Sequence, residues 1–183
     1  MLFARAAWAQ KELLTFNEEN KYMYYQVVPQ AGIPADSLHD RAIYFLKTAY
    51  PKIKVKTNDT SGIKGSGEFL VVSGITLVKH VDGELYYTVT IECKDQKYRY
   101  WLTDFVFIPH KTDRYGNSVP VQGVEIPLEN GAAKLDKKQF DSYLGQIGAL
   151  SKQFGDKLKV YMQNKAAAPA KDAKKKVTST KDW

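Results

Sequence analysis

Residues 85–108 read LYYTVTIECKDQKYRYWLTDFVFI, and the way this stretch folds back on itself decides the architecture. With Asp95-Gln96 as a two-residue turn, Lys94 pairs with Lys97 and the register runs back from there. Cys93 then faces Tyr98, Ile91 faces Tyr100 and Val89 faces Leu102, which makes one continuous apolar face. On the other face Glu92 meets Arg99, Thr90 meets Trp101, Thr88 meets Thr103 and Tyr86 meets Phe105. Opposite charges and like neighbours lie across from one another, as cross-strand pairing favours. Asn-Gly or Asp-Gly would suit a type I′ turn better than Asp-Gln does.

Working outward, YMYYQVV at 22–28 is rich in β-formers and reads as a first strand. Pro34 opens a helix, where a missing N–H does no harm, and Leu38, Ala42, Phe45, Leu46 and Ala49 form its apolar stripe. Tyr50-Pro51 ends it. IKVK at 53–56 alternates, a polar turn follows, and 63–73 is a strand broken by glycines. Residues 74–83 read as an irregular link to the hairpin. Residues 109–135, rich in Pro and Gly, read as a long loop with a short extended piece near 119–124.

Asp136 and Gln139 have capping-box spacing. Beyond them Phe140, Ile147, Phe154 and Tyr161 recur every seven residues, with Leu144, Leu150 and Leu158 on the same side. Gly145, Gly148 and Gly155 weaken this helix and let it lie close on a sheet. The order is strand, helix, four strands, helix. It predicts an α+β two-layer sandwich whose five-stranded, antiparallel-rich curved sheet carries both helices on one face and leaves the other open.

The chain has 183 residues and a net charge of +7, with a single cysteine. Residues 165–183 hold six lysines and two aspartates, so much of the basic balance belongs to a tail and little to the folded part. Cys93 sits on the apolar side of a strand and reads as a small buried hydrophobe. No stretch is long and apolar enough to span a membrane. Ala7-Trp8-Ala9 before Gln10 has the small-x-small form cut by signal peptidases. The expected layout is a leader over 1–21 with cleavage after Ala9, a folded domain over 22–163, and a disordered Lys/Ala-rich tail over 164–183.

GIPADSLHDRAIYFL at 32–46, GIKGSGEF at 62–69 and YYTVTIECKDQKYRYWLTDF at 86–105 resemble, in that order, a bacterial family of domains of unknown function with a TATA-box-binding-protein-like fold. The likeness spans roughly 22–162. Pro34 stands where the family usually has a capping Ser, and Gln96 where a turn Gly is usual. The resemblance implies a curved sheet with helices on its convex side. It also implies export, to the periplasm or beyond; it is silent on activity, since the family has no established catalytic or binding residues to carry over.

His39, His80 and His110 are scattered, with no convergent donors for a metal. No Ser/His/Asp arrangement, Walker loop or cofactor motif is evident. Gly62-Ile63-Lys64-Gly65-Ser66-Gly67 continues into a strand, so it reads as a kinked strand and not a phosphate cradle. His110, Asp113 and Arg114 are neighbours in the long loop, the one place for an enzyme site. The open sheet face carries the main functional expectation. Tyr86, Arg99, Trp101 and Phe105, with Lys54, Lys56, Lys64 and Glu92, should form a shallow platform there, joined by Lys52, Ser66 and Glu68. As a bland alternative, the face is simply solvated.

The predicted function is a non-catalytic binding or scaffold module for a protein, peptide or glycan. The alternative is a nucleic-acid-binding protein that uses the same face and the lysine tail, in a cytoplasmic setting. TATA-binding saddles contain two copies of the fold, and this chain contains one.

Overall fold

A computed structural model describes residues 13–59, 62–75 and 78–164. The leader motif at Ala7-Trp8-Ala9 and the tail beyond Asn164 lie outside the described residues. Eight strands form one antiparallel sheet: β1 (Thr15–Phe16), β2 (Tyr22–Pro29), β3 (Lys54–Asp59), β4 (Gly62–Ile75), β5 (Val78–Lys94), β6 (Lys97–Thr112), β7 (Ser118–Pro120) and β8 (Ile126–Pro127). Their order is β1-β2-β6-β5-β4-β3, with β7 and β8 added to β6. Helices α1 (Ala35–Ala49), α2 (Gly131–Lys134) and α3 (Lys137–Gln163) complete the chain. The principal elements follow the predicted order. The sheet has three short strands beyond the five expected, because 109–135 folds into β7, β8 and α2 and because 13–21 joins the domain.

That second point shortens the expected leader. Leu14 is buried, and β1 pairs Thr15 with Met23 and Phe16 with Tyr22. The link at 74–83 is also more regular than expected: Gly74 pairs with Lys79 and Ile75 with Val78, so β4 and β5 form one long hairpin.

Helix α1 starts at Pro34, which offers no side-chain cap. The missing cap comes from the hairpin turn instead: Asp95 Oδ1 accepts the Ala35 N–H at 2.8 Å. Gln96 takes a left-handed φ of 63°, and its N–H and C=O bond Ile33 O and Gln30 N at 2.9 and 2.7 Å. The departures at Pro34 and Gln96 thus belong to one feature, a turn docked under a helix start.

Helix α3 is capped by Asp136, which accepts from Lys138 N and Gln139 N. The Gln139 side chain turns away from the cap and donates to Tyr143 Oη at 2.7 Å. Phe154 packs edge-on to Phe45 of α1 at 5.2 Å and lies 6.2 Å from Tyr100 of the sheet. Each such fully buried side chain stabilises by about 1.5–3 kcal/mol. Gly155 lets α3 come down on β6, since a Cβ there would run into the Tyr100 hydroxyl. Arg41, buried in α1, donates to the Met162 carbonyl and meets the negative end of α3.

The hairpin register holds from Lys94–Lys97 through Thr88–Thr103 and then slips. Tyr86 faces Val106 and not Phe105, because Asp104 and Phe105 share one position opposite Tyr87. Unbroken alternation would have sent Asp104 inward after Tyr98, Tyr100 and Leu102. Burying an unpaired carboxylate is costly. The strand bulges instead, with Asp104 at φ 52° and turned to Lys21, and the inward series resumes at Phe105 and Phe107.

Candidate functional site: the open sheet face

The helices cover the face bearing Tyr98, Tyr100, Leu102, Val89 and Ile91, all buried. The opposite face carries a row that crosses the sheet: Tyr25 on β2, Trp101 on β6, Thr90 on β5, Lys64 on β4 and Thr57 on β3. The next row joins Val27, Arg99 and Glu92. Tyr25 is 38% exposed and Val27 52% exposed.

Arg99 organises one end. Its Nε and Nη2 lie 2.7 and 2.6 Å from Glu92 Oε2, and its guanidinium sits 5.5 Å over the Trp101 ring. The Tyr25 ring lies 6.4 Å from Trp101. The Glu92 carboxylate, and after it Tyr25, keep the Arg99 guanidinium charged. A charged side chain held over an indole and paired with a carboxylate is fixed before any partner arrives. Tyr25, Val27, Glu92, Lys94, Lys97 and Arg99 line a shallow cleft of about 200 Å³ beside it.

Phe105 does not reach this face. It is fully buried under the helices, a consequence of the Asp104 bulge. Tyr86 does reach it; its hydroxyl donates to Glu84 Oε2 at 2.8 Å, and that carboxylate, then burial, pushes the phenol up to about 12. Lys54, Lys56 and Lys64 are exposed, as are Lys52 and Glu68, which pair at 3.7 Å. Ser66 is partly exposed between Lys54 and Thr88. Burial raises the Asp104 carboxyl, but the Lys21 ammonium at 2.9 Å outweighs it and the net direction is down.

The other sequence candidates resolve structurally. Gly65 and Gly67 are buried in the β4 ladder beneath Ile53 and Tyr87, so their amides serve the sheet. Burial pushes the Cys93 thiol up to about 12, which leaves little thiolate. Asp113 folds its own turn by accepting from Tyr115 N and Asn117 N, while Arg114 lies over Tyr115 at 4.9 Å. They form no site with His110.

One arrangement was not foreseen. His110 Nδ1 lies 2.9 Å from Ser118 Oγ, and its Nε2 lies 3.5 Å from Glu84 Oε1. The Ser118 hydroxyl donates to Val81 O at 3.2 Å, so this chain of contacts pins β7 onto β5. It borders a cavity of about 490 Å³ also lined by His80, Asp82 and Tyr143. Nothing in the local sequence marks it, because its members come together only through the long hairpin. Among the described residues, no group of three or more His, Cys, Asp and Glu could hold a metal ion. Among them, too, no helix is long and apolar enough to cross a membrane.

An antiparallel sheet open on one side, with a strand–helix–four-strand–helix core, defines a domain of TATA-box-binding-protein-like fold. Residues 24–108 match the family model described as "Domain of unknown function (DUF4468) with TBP-like fold". A TBP-like protein from Parabacteroides distasonis superposes with a TM-score of 0.64 at 16% identity, covering 82% of this chain and 97% of its own. A DUF4468 family protein from Bacteroides ovatus gives 0.58 at 14% identity, covering 86% and 94%. At these identities the likeness speaks for the fold alone. No curated protein matches the chain.

Proposed function

We propose that the protein is a non-catalytic binding module, exported from the cytoplasm, that docks a protein, peptide or glycan on its open sheet face. The observation that carries this reading is the Trp101–Arg99–Tyr25 cluster, left uncovered by either helix and locked by Glu92. Aromatic residues grouped with an arginine are what interaction surfaces enrich. The small-x-small motif at Ala7-Trp8-Ala9 supports export.

The test is a pull-down from native extract with wild type and with W101A/R99A. Loss of partners from the variant, with unchanged thermal unfolding, supports the reading. Equal recovery shows a merely solvated face. A mature N-terminus at Gln10 supports export, and an intact leader in the cytosol contradicts it. The competing nucleic-acid reading rests on the same aromatics and lysines. It requires binding to DNA or RNA that falls steeply with salt.

A further inference from the structure

Resting on that reading of the face, we infer that its ligand is an acidic oligosaccharide, a short chain of sugar rings bearing carboxylates. Three acids on the face are ion-paired, Glu92 to Arg99 at 2.6 Å, Glu68 to Lys52 at 3.7 Å and Asp104 to Lys21 at 2.9 Å, while Glu84 accepts from the Tyr86 hydroxyl at 2.8 Å and Asp59 from the Gly62 N–H at 3.3 Å. Lys54, Lys56 and Lys64 have no ion pair among the described residues and are exposed. The face therefore presents surplus positive charge in two places: Lys54, Lys56 and Lys64 on β3 and β4, and Lys94 and Lys97 beside the cleft next to Arg99.

The second step is position. Along the row Tyr25–Trp101–Thr90–Lys64 the aromatics occupy β2 and β6, a hydroxyl occupies β5, and the cation lies on β4. The next row repeats the polar half as Thr88, Ser66 and Lys54. Neighbouring strands are about 4.8 Å apart, so Trp101 and Lys64 are separated by roughly 10 Å. A ligand lying across the strands meets flat aromatic surface, then hydroxyls, then ammonium groups. A sugar ring has an apolar C–H face to lay on an indole, hydroxyls to exchange with threonine and serine, and, if a uronate, a carboxylate for lysine.

A nucleic-acid strand fits less well. Its phosphates recur at every nucleotide and favour a continuous cationic track. The middle of this face offers hydroxyls and no free cation. The lysines of β3 and β4 and those at the β5–β6 turn stand apart on either side of it, so they form no such track.

The full chain is titrated with trigalacturonate, with its methyl ester, and with a single-stranded oligothymidylate, following the Trp101 indole by NMR and the heat by calorimetry. The expected result is binding of trigalacturonate, weakened about tenfold or more by esterification or by K54Q/K56Q/K64Q, and abolished by W101A in a folded protein. Equal affinity for the ester overturns the acidic part of the inference. Binding of oligothymidylate alone, also abolished by W101A, overturns the glycan and leaves the docking face standing. No perturbation of Trp101 by trigalacturonate overturns the inference, and the pull-down with W101A/R99A then decides separately whether the face docks anything.

Discussion

Lys21 Nζ lies 2.9 Å from Asp104 Oδ1, a contact made across 83 residues of chain and only because β6 bulges at Asp104. The bulge decides what the open face contains: it withdraws Phe105 into the core and turns a carboxylate outward. The Asp104 carboxyl is held below its ordinary value in the folded state, so the pair contributes stability above the unfolded pKa of about 3.9. That contribution is lost as pH falls through the depressed folded value. Both side chains are well exposed, so solvent screening keeps the effect small. Urea unfolding from pH 7 down to 2.5 should show D104N less stable than wild type at neutral pH and converging with it in acid. A constant gap would show that the ion pair contributes nothing.

The hairpin turn caps α1 from outside, through Asp95 Oδ1 and Ala35 N at 2.8 Å. D95A should cost about 1 kcal/mol, as loss of a helix cap does. Gln96 holds a left-handed φ of 63°, so Q96G should raise stability by up to about 1 kcal/mol by relieving steric strain, less the entropy glycine loses on folding. Midpoints of denaturant unfolding with unchanged slopes measure both.

A Cβ at position 155 would meet Tyr100 Oη. G155A should therefore destabilise by about 1–3 kcal/mol through overpacking, despite the higher helix propensity of alanine. Y100F removes the clashing oxygen but leaves Cζ 2.8 Å from the new Cβ, so G155A/Y100F should recover part of the loss. A double-mutant cycle reads this coupling directly; strict additivity would place the strain elsewhere.

Cys93 is the sole cysteine of the chain, and burial pushes its thiol up to about 12. Alkylation by iodoacetamide at pH 8 should be negligible in the native protein and fast in urea. Rapid native labelling would mean that the β5–β6 end opens readily.

Much of this architecture can be read along the chain, and the exceptions are physical. The pairs from Lys94–Lys97 to Thr88–Thr103 follow from alternation and charge alone. The slip beyond them was written in the same letters: inward apolar residues fall at even positions through Leu102 and at odd positions from Phe105, with Asp104 at the change. A reading that assumes one unbroken period passes over it and places Phe105 on the wrong face. Strand β7 overlaps the short extended piece expected near 119–124, whereas β8 is two residues long and held by β6, so no local pattern announces it. Leu14 belongs to the core because β1 folds back on β2, a contact that composition does not reveal. On the candidate face, Arg99, Glu92 and Trp101 were legible from the register, whereas Tyr25 and Val27 required knowing that β2 lies beside β6.

The central claim is that the uncovered face is where this protein meets its partner. Photo-crosslinking tests it most directly, with a photoreactive residue placed at Thr90 in the middle of that face and, separately, at Val160 on the exposed side of α3. In native extract the account predicts a discrete adduct from position 90, lost when W101A is added, and none from position 160. Adducts from position 160 alone, or an adduct at 90 indifferent to W101A, would contradict it.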